Sequence, residues 1–377
     1  MSFFPDEVII EVLARLPIKP LFKTRTVCKL WHGLPSDKYF VKLYNQVSDK
    51  NPMVLVEVHD STKPNSSLIC VDNSTGVSEF SLDFLRDKVN IRASCNGLLC
   101  CSSIAVKGVY YVCNPMTREF KVLPKIKDQN LTRFYPDSEA TLVGLACDPS
   151  RGKFDVVLAG YQCAGSSRRP DKTFACLIFD SDSNKWRKFV SSQEEIFTHM
   201  NRNQVVYVNS ALHWLTGSGS YILVLDLNFE VWRKVSVPDE TRYGTGNRVY
   251  LLESDGCLSL IEISDTWMKI WVMKDYEREL WHMVDRVSLG CIKGLVHGIF
   301  PIAQTGECVF LATHKQVLVY HRTSWAWKEM YSVQNNATLP LWFSAHAFRT
   351  SIFPCILSHT ASALTKTKVK SGRKKLS

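Results

Sequence analysis

The sequence predicts a multidomain chain: a small N-terminal module of three helices, followed by a large antiparallel β-propeller of six to seven blades. Apolar residues recur with a helical period near the N-terminus, and they alternate with polar residues from residue 53 onwards. A pairing of a polar and an aromatic residue then returns along the second part of the chain. The length of 377 residues fits this division, because single hydrophobic cores stop growing near ~250–300 residues.

The first helix is predicted to begin at Pro5, since proline suits the first helical turn. Asp6 and Glu7 follow it, where the helix dipole favours negative charge. Pro17 ends the helix and Ile10 falls off its apolar face. The residues of that face follow the spacing i, i+1, i+4, i+5 and i+8: Val8, Ile9, Val12, Leu13 and Leu16.

The second helix is predicted to open at Pro20, and Gly33 and Pro35 close it. A third, short helical turn follows at residues 37–43. Three residues of this part are expected to pack inside the module: Val27, Leu30 and Trp31. Three helices in about forty residues bury too little apolar area to be stable alone, so the remaining apolar face is predicted to be a docking surface.

The N-terminal pattern resembles an F-box over residues 3–46. The pattern reads F-P-x-E-V-I-x-E-V-L-x-x-L-P-x-K-x-L from Phe4, then R-x-V-C-K-x-W ending at Trp31. Phe4 stands where the family usually has leucine, and Pro20 where serine is frequent. The resemblance implies binding to the Skp-type adaptor of a cullin-RING ubiquitin ligase through nine residues: Phe4, Pro5, Val8, Ile9, Val12, Leu13, Leu16, Pro17 and Leu21.

The repeat of the second part joins a polar residue at a strand end to an aromatic residue six positions later. The polar residues are Asn114, Asp180, Asp226, Asp275 and His321. The aromatic residues are Phe120, Trp186, Trp232, Trp281 and Trp327. In a looser sixth copy, Phe80 follows Asp72 by eight positions. The polar residue is expected to start a turn, and the aromatic ring to pack between neighbouring blades.

A recurrence of about 40–50 residues with several short strands is typical of a β-propeller. Six copies of the repeat are visible, and one blade is a candidate for being built from strands at both ends of the chain, which would close the ring. The 66-residue step between Phe120 and Trp186 is long enough to be a candidate for containing a seventh blade. The polar segments 125–140, 161–172 and 239–247 are the candidate binding loops, chosen for their polarity and length.

The second part also resembles a family. SCNGLLCC at residues 94–101 and YVCNPMTREFKVLP at residues 111–124 resemble the start of the F-box-associated, kelch-like domain of the large plant F-box group. The expected domains are an F-box at 1–46, the propeller at 47–357 and a disordered basic tail at 358–377. The resemblance implies a propeller that recognises a substrate.

The charge of the chain is concentrated in its C-terminal tail. The last seventeen residues hold six Lys or Arg and no acid, and without them the net charge of +10 falls to +4. This tail is a candidate for a nuclear-import signal or for a solvated segment, so the protein is expected in the cytoplasm, the nucleus or both.

The sequence contains no signal peptide, no span of ~18 apolar residues and no pair of residues with zinc-site spacing. We therefore expect no secretion, no membrane-spanning segment and no bound metal. The thirteen cysteines are expected to be buried free thiols.

The predicted function is the substrate-recognition subunit of a Skp-cullin-F-box ubiquitin ligase, with no catalytic residue and no cofactor in this chain. The mechanism is proximity, since holding a protein target near the charged conjugating enzyme raises its effective concentration. Two alternatives stay open: a propeller-fold enzyme, and a scaffold whose N-terminal helices pack internally. Direct nucleic-acid binding is disfavoured, because the excess charge lies in the tail. His213 and His297, in apolar surroundings, are expected to be core or strand histidines.

Overall fold

The structure is a computed structural model that describes most of the chain. The described ranges are 5–47, 52–60, 67–73, 76–106, 108–126, 142–149, 151–161, 174–191, 200–216, 219–242, 247–333, 337–338 and 345–355. Phe4 and residues 356–377 therefore lie outside the described residues. None of the described helices has the length and apolar character to cross a membrane.

Four α-helices form the N-terminal module, one more than the sequence predicts. They are α1 (Asp6–Ala14), α2 (Ile18–Thr24), α3 (Lys29–Gly33) and α4 (Lys38–Val47), with a 3₁₀ turn at Leu34–Ser36 before α4. The predicted second helix is divided because Cys28 is extended, with φ −157° and ψ 170°. Thr24 and Thr26 precede this break, and their hydroxyls donate to backbone carbonyls three residues earlier, which competes with a continued helix.

The ends of these helices also differ from the predicted ones. Helix α2 is preceded by Pro17 rather than by Pro20. Pro20 is the third residue of this helix, a position whose N–H has no partner within the helix, so the missing N–H of proline costs no hydrogen bond. The predicted short turn is the ten-residue helix α4. Asp37 begins it, because its carboxylate accepts a hydrogen bond from the N–H of Phe40 at 2.9 Å.

The described strands form six antiparallel sheets, which are the six blades of a propeller. Blade 1 contains β1 (Met53–Asp60), β2 (Ser67–Asp72) and β3 (Gly76–Phe80). Blade 2 contains β4 (Val89–Cys95), β5 (Leu98–Ser103), β6 (Tyr110–Asn114) and β7 (Glu119–Val122). Blade 3 contains β8 (Leu142–Asp148), β9 (Lys153–Tyr161), β10 (Phe174–Asp180) and β11 (Lys185–Ser191).

The remaining blades repeat this order. Blade 4 contains β12 (Met200–Val208), β13 (Ala211–Thr216), β14 (Tyr221–Asp226) and β15 (Val231–Ser236). The short α5 (Asp239–Arg242) precedes blade 5, which contains β16 (Arg248–Ser254), β17 (Cys257–Ile263), β18 (Trp267–Asp275) and β19 (Leu280–Ser288). A 3₁₀ segment (Gly290–Gly298) leads to blade 6, with β20 (Phe300–Gln304), β21 (Cys308–Ala312), β22 (Gln316–His321) and β23 (Ala326–Ser332).

Blade 1 combines strands from the beginning and the end of the propeller segment, as the sequence predicts for one blade. The short β24 (Ala337–Thr338) pairs with the end of β1, and β25 (Ala345–Phe348) pairs antiparallel with Met53–Val56 of β1. β25 is therefore the innermost strand of blade 1. The ring closes through main-chain hydrogen bonds between residues almost three hundred positions apart.

A separate apolar layer lies between each pair of neighbouring blades. Each of the six repeat aromatic residues lies in the outermost strand of its blade and packs into one of these layers. The indole N–H of Trp186 in blade 3 donates to the carbonyl of Pro124, just beyond blade 2, at 2.7 Å. Trp281 in blade 5 donates to Ser236 of blade 4 at 2.8 Å. The predicted role of these rings between blades is confirmed.

The polar residue of the repeat also has its predicted role in a turn. The Asp180 carboxylate accepts hydrogen bonds from the N–H groups of the second and third residues after it, at 2.7 and 3.0 Å, and Asn114 and Asp226 do the same. The residue four positions after the polar one has a positive φ in all five full copies. These residues are Arg118, Asn184, Glu230, Glu279 and Trp325.

The propeller has two distinct faces. Within blades 2 to 6, the turn from the innermost to the second strand and the turn from the third to the outermost strand lie at the same edge, which we call the turn face. The described strand ends that lead from the second to the third strand and from blade to blade lie at the opposite edge, which we call the loop face. Hydrogen bonds join neighbouring blades across the turn face, as from the N–H of Gly306 to Asp255 at 2.7 Å.

The N-terminal module packs on the turn face. Its core contains buried residues of α1, α2 and α4 together with Ile352, which follows β25 and is 2% exposed. Met116, in the outer turn of blade 2, packs against the same cluster. Because Asn114 donates from its side-chain amide to the carbonyls of Ser351 and Phe353, at 2.9 and 3.0 Å, this segment is held where the module contacts it.

Candidate functional site

Helix α1 presents a row of exposed apolar residues. Pro5 is exposed, Val8 is 46% exposed and Val12 is 56% exposed. The spacing of three and four residues places them on one face of the helix. We call Pro5, Val8 and Val12 the N-terminal ridge. A contiguous exposed apolar surface rimmed by charged side chains such as Glu7 and Arg15 is typical of a protein-binding site.

The other predicted adaptor-binding residues differ in exposure. Leu13 and Leu21 are 4% and 1% exposed and belong to the core of the module. Ile9 and Leu16 are half-buried and pack against that core, whereas Pro17 is exposed. The residues of the predicted apolar face of α1 therefore differ in burial. Leu13 lies in the core of the module together with Ala14, whereas Val8 and Val12 face solvent.

Two residues that the sequence assigned to the core are exposed. Val27 is 63% exposed and Leu30 is 44% exposed, so the expectation that they pack inside the module is wrong. They lie beside the break between α2 and α3, which the apolar periodicity of the sequence does not predict. Trp31 is half-buried and packs against the core, as expected. The exposed apolar surface of the module is thus larger than the ridge alone.

The described strands that flank the candidate binding loops have the corresponding ends at the loop face. Segment 125–140 connects β7 to β8, segment 161–172 connects β9 to β10, and segment 239–247 connects β15 to β16. Most of these residues lie outside the described part of the chain. The described strands that flank them end at the edge opposite the one on which the N-terminal module packs.

A cavity of about 420 Å³ lies at the centre of the propeller, near the turn face. It is lined by the ends of β4, β12, β16, β20 and β25, and we call it the channel cavity. Its charged residues are Arg92, Glu253 and Arg349. The Glu253 carboxylate accepts from the Arg349 guanidinium at 2.7 Å and from the N–H of Gly256 at 2.7 Å, so both of its oxygens are engaged.

Two buried polar side chains complete the channel cavity. Gln304 is 1% exposed, and its Oε1 accepts from the Ser259 hydroxyl at 2.8 Å while its Nε2 has no hydrogen-bond partner. His346 is 9% exposed and its Nε2 likewise has no partner. Burial, assisted by the charge of Arg92, lowers the pKa of His346 to about 4, so its imidazole is neutral at pH 7.

The two histidines singled out by the sequence have different surroundings. His213 is fully buried in β13, where Nδ1 lies 3.1 Å from the carbonyl of Val206 and Nε2 lies 2.6 Å from the Tyr276 hydroxyl. It is a satisfied core histidine, as predicted. His297 lies in the 3₁₀ segment with its side chain 88% exposed, 3.8 Å from Asp265, so its predicted place in the core is wrong.

The cysteines of the described residues are free thiols, and most of them are buried. Each of the twelve cysteines in the described residues is free, and nine of them are buried. Burial raises the pKa of the Cys100 and Cys70 thiols to about 12, which leaves them protonated and unreactive. Within the described ranges, no group of three or more His, Cys, Asp or Glu side chains is arranged to hold a metal ion.

Comparison with known proteins gives two family matches that together span most of the chain. Residues 1–43 match the F-box domain, and residues 48–354 match the F-box associated beta propeller domain. The F-box protein At5g49610 of Arabidopsis thaliana is 65% identical over 357 residues, which are 94% of this chain and 98% of that protein.

More distant relatives share the same organisation by name. The F-box/kelch-repeat protein At4g19930 of Arabidopsis thaliana is 24% identical over 307 residues, 74% of this chain and 68% of that protein. The solved structure of YjhT has a TM-score of 0.42 and 10% identity over 67% of this chain and 87% of that chain, a likeness that supports no conclusion. From the two family matches and the six-bladed fold, this chain belongs to the F-box proteins that carry an F-box associated β-propeller domain.

Proposed function

We propose that this protein is the substrate-recognition subunit of a Skp-cullin-F-box ubiquitin ligase. The F-box would bind a Skp-type adaptor, and the adaptor would connect the chain to the cullin-RING ligase. The propeller would hold a protein target, and the chemistry would be carried out by other subunits. The observation that carries this proposal is the exposed N-terminal ridge on a module whose family binds such adaptors.

The surface of the F-box supports helix-in-groove binding of the adaptor. A row of apolar side chains at helical spacing fits a hydrophobic groove, where a few buried anchors provide most of the affinity. We assign this role first to Val8 and Val12, with Pro5 and Pro17 beside them, because these residues are exposed. Val27 and Leu30 extend the same proposal to residues outside the original set of nine.

The two faces of the propeller support separate sites for the adaptor and for the target. The F-box packs on the turn face through Met116 and Ile352. A target bound by the connections of the loop face would not compete with the adaptor for space. Holding such a target near the conjugating enzyme raises its effective concentration, which is the proximity mechanism that the proposal requires.

The first test is co-purification of the 377-residue chain with a Skp-type adaptor. We expect the wild type to retain the adaptor and the double variant Val8→Glu, Val12→Glu to lose it, since charges at apolar anchors remain unpaired in a groove. Leu13→Ala is unsuitable here, because Leu13 is in the core and its loss destabilises the module itself.

A matched control changes two exposed valines on outer strands of the propeller. Val122 is 39% exposed and Val231 is 50% exposed, so the double variant Val122→Glu, Val231→Glu introduces the same charges elsewhere. We expect this control to retain the adaptor. If a correctly folded wild type does not bind the adaptor, the ligase proposal is rejected and a scaffold or enzyme role takes its place.

The second test addresses target recognition. Proteins whose abundance falls when the wild type is expressed, but not when the Val8→Glu, Val12→Glu variant is expressed, are the expected targets. Inhibition of the proteasome should restore them. If the wild type and the variant lower the same proteins equally, target loss does not depend on the adaptor and the proposed mechanism is wrong.

A further inference from the structure

We propose that Asn114 is a positioning residue that makes adaptor binding depend on closure of the propeller, because its side chain holds two propeller residues that pack with the F-box core. These residues are Met116, in the outer turn of blade 2, and Ile352, in the segment that follows β25. We call residues 351–355 the closing segment. The inference rests on the proposed function, since it names what the adaptor-binding surface of the F-box requires.

The side chain of Asn114 is 0% exposed, and both of its polar atoms are engaged. Its Oδ1 accepts from the N–H groups of Met116 and Thr117, at 2.9 and 3.4 Å. Its Nδ2 donates to the carbonyls of Ser351 and Phe353, at 2.9 and 3.0 Å. One amide therefore joins the outer turn of blade 2 to the closing segment.

The chemistry of this position differs from that of the same position in other blades. The equivalent residues of blades 3, 4 and 5 are Asp180, Asp226 and Asp275, whose carboxylates accept from N–H groups of their turns. A carboxylate offers acceptors only, whereas an amide also has two donor hydrogens. An asparagine in blade 2 can therefore hold its own turn and bind the carbonyls of the closing segment at the same time.

Neighbouring residues of the closing segment pack in different cores. Ile352 is 2% exposed and lies in the core of the F-box, whereas Phe353 is 0% exposed and lies in the layer between blades 2 and 3. The Ser351 hydroxyl donates to the Asn96 carbonyl, in the inner turn of blade 2, at 2.7 Å. A shift of the closing segment from blade 2 would therefore withdraw Ile352 from the F-box.

The F-box is small enough for this loss to matter. A module of about forty residues buries little apolar surface, so its packing depends on each buried side chain. The apparent affinity for a partner falls in proportion to the fraction of chains whose binding surface is formed. A chain with an open propeller therefore presents a loosely packed F-box and binds the adaptor weakly.

The first test is amide hydrogen exchange of the 377-residue chain without the adaptor. Asn114→Asp keeps the acceptor for the turn but removes the donors to the closing segment. We expect amides of α1 and α4 to exchange at least tenfold faster in this variant than in the wild type. Asp226→Asn is the matched control, since it makes the reverse change in blade 4, and it should leave these rates unchanged. Slow exchange in β17 verifies that the propeller is folded.

The second test measures the affinity of the 377-residue chain for a Skp-type adaptor by calorimetric titration. Ile352→Ala should weaken binding at least fivefold, and Ile352→Val, which keeps most of the side chain, less than twofold. Ile222→Ala is the matched control, because it removes the same atoms from a 0% exposed site between blades 4 and 5. It should leave the affinity unchanged although it destabilises the propeller.

The outcomes separate this inference from the ligase proposal. If the wild type does not bind the adaptor, the ligase proposal is rejected, and the exchange rates of α1 and α4 still test the role of Asn114. Equal exchange rates in wild type and Asn114→Asp would overturn the inference. If Ile352→Ala binds as tightly as the wild type, or if Ile222→Ala loses as much affinity as Ile352→Ala, adaptor binding does not depend on the closing segment and the inference is wrong.

Discussion

His213 is a buried imidazole whose protonation state is fixed by its neighbours. Its Nδ1–H donates to the Val206 carbonyl, and its Nε2 accepts from the Tyr276 hydroxyl. A proton added at Nε2 would face a group already placed as a donor. Burial lowers the pKa of His213 to about 4, from an ordinary value of 6.5. The folded protein therefore holds this residue neutral throughout the mildly acidic range.

This shift predicts a loss of stability as the pH falls. Below pH 6.5 the unfolded chain binds a proton at His213 that the folded protein does not bind until about pH 4, so acid favours unfolding. The expected loss from this residue is about 2 kcal/mol between pH 7 and pH 5. The measurement is chemical denaturation followed by tryptophan fluorescence at the two pH values.

The variant His213→Asn isolates this contribution. Its stability should fall less than that of the wild type between pH 7 and pH 5, although His346 still contributes in the same direction. Asp155 acts in the opposite direction, because burial raises its pKa to about 6 and its stabilising contribution is lost as the pH rises. An identical pH dependence in wild type and variant would show that His213 titrates normally in the folded state.

At the scale of elements, the outer turns repeat one backbone geometry with different residues. The residue in the left-handed region is Asn184 in blade 3 and Glu279 in blade 5, but it is Trp325 in blade 6, with φ 55°. Asparagine tolerates this region, whereas a bulky side chain is strained there. Trp325 is also 80% exposed, so little packing compensates for the strain.

Replacing Trp325 by glycine should therefore stabilise the protein. The expected gain is about 1 kcal/mol, because glycine adopts a positive φ without steric cost. Trp325→Ala keeps a Cβ in the same backbone conformation and should give no such gain. Thermal denaturation of the two variants beside the wild type makes the comparison. An equal gain in both would attribute the effect to loss of the exposed ring rather than to the backbone.

The elements also differ in how far the sequence could predict them. The turn residues and the outer-strand aromatic residues were predicted correctly, because each repeat carries both in a fixed spacing. The break between α2 and α3 was missed, and with it the exposure of Val27 and Leu30. Apolar periodicity does not report which side of a small helix faces its own core, since that depends on the tertiary contacts of Leu13 and Leu21.

For the whole molecule, closure of the ring depends on a close contact near Gly97. Gly97 lies in the turn between β4 and β5 with φ 82°. A Cβ at this position would lie 2.7 Å from the Cβ of Ser351 and 2.9 Å from the carbonyl oxygen of Arg349. Ser351 in turn donates from its hydroxyl to the Asn96 carbonyl at 2.7 Å. The turn of blade 2 and the end of the closing strand fit together only with glycine here.

Gly97→Ala should destabilise the propeller by about 3 kcal/mol, the sum of overpacking and an unfavourable positive φ. Gly256 is the control, because it occupies the same turn position in blade 5, also with φ 82°, and a Cβ there would meet no atom within 4 Å. Gly256→Ala should cost only about 1 kcal/mol. Equal losses in the two variants would show that closure does not depend on the contact at Gly97.

The channel cavity shows where prediction from the sequence ends. Its residues come from five innermost strands, and Arg92 and Arg349 are separated by more than two hundred and fifty positions. Neither the repeat nor any local motif distinguishes them from other charged residues. The blades were predictable because each is local in sequence, whereas the cavity exists only when the ring closes.

Ile352 lies near the end of the described chain, yet it packs in the core of the N-terminal module. The F-box leaves the ribosome first, yet one residue of its core follows the strand that closes the propeller. A nascent chain interrupted before that strand has all four F-box helices but lacks the residue that completes their packing. We therefore expect a chain that ends before β25 to contain an incompletely packed F-box core.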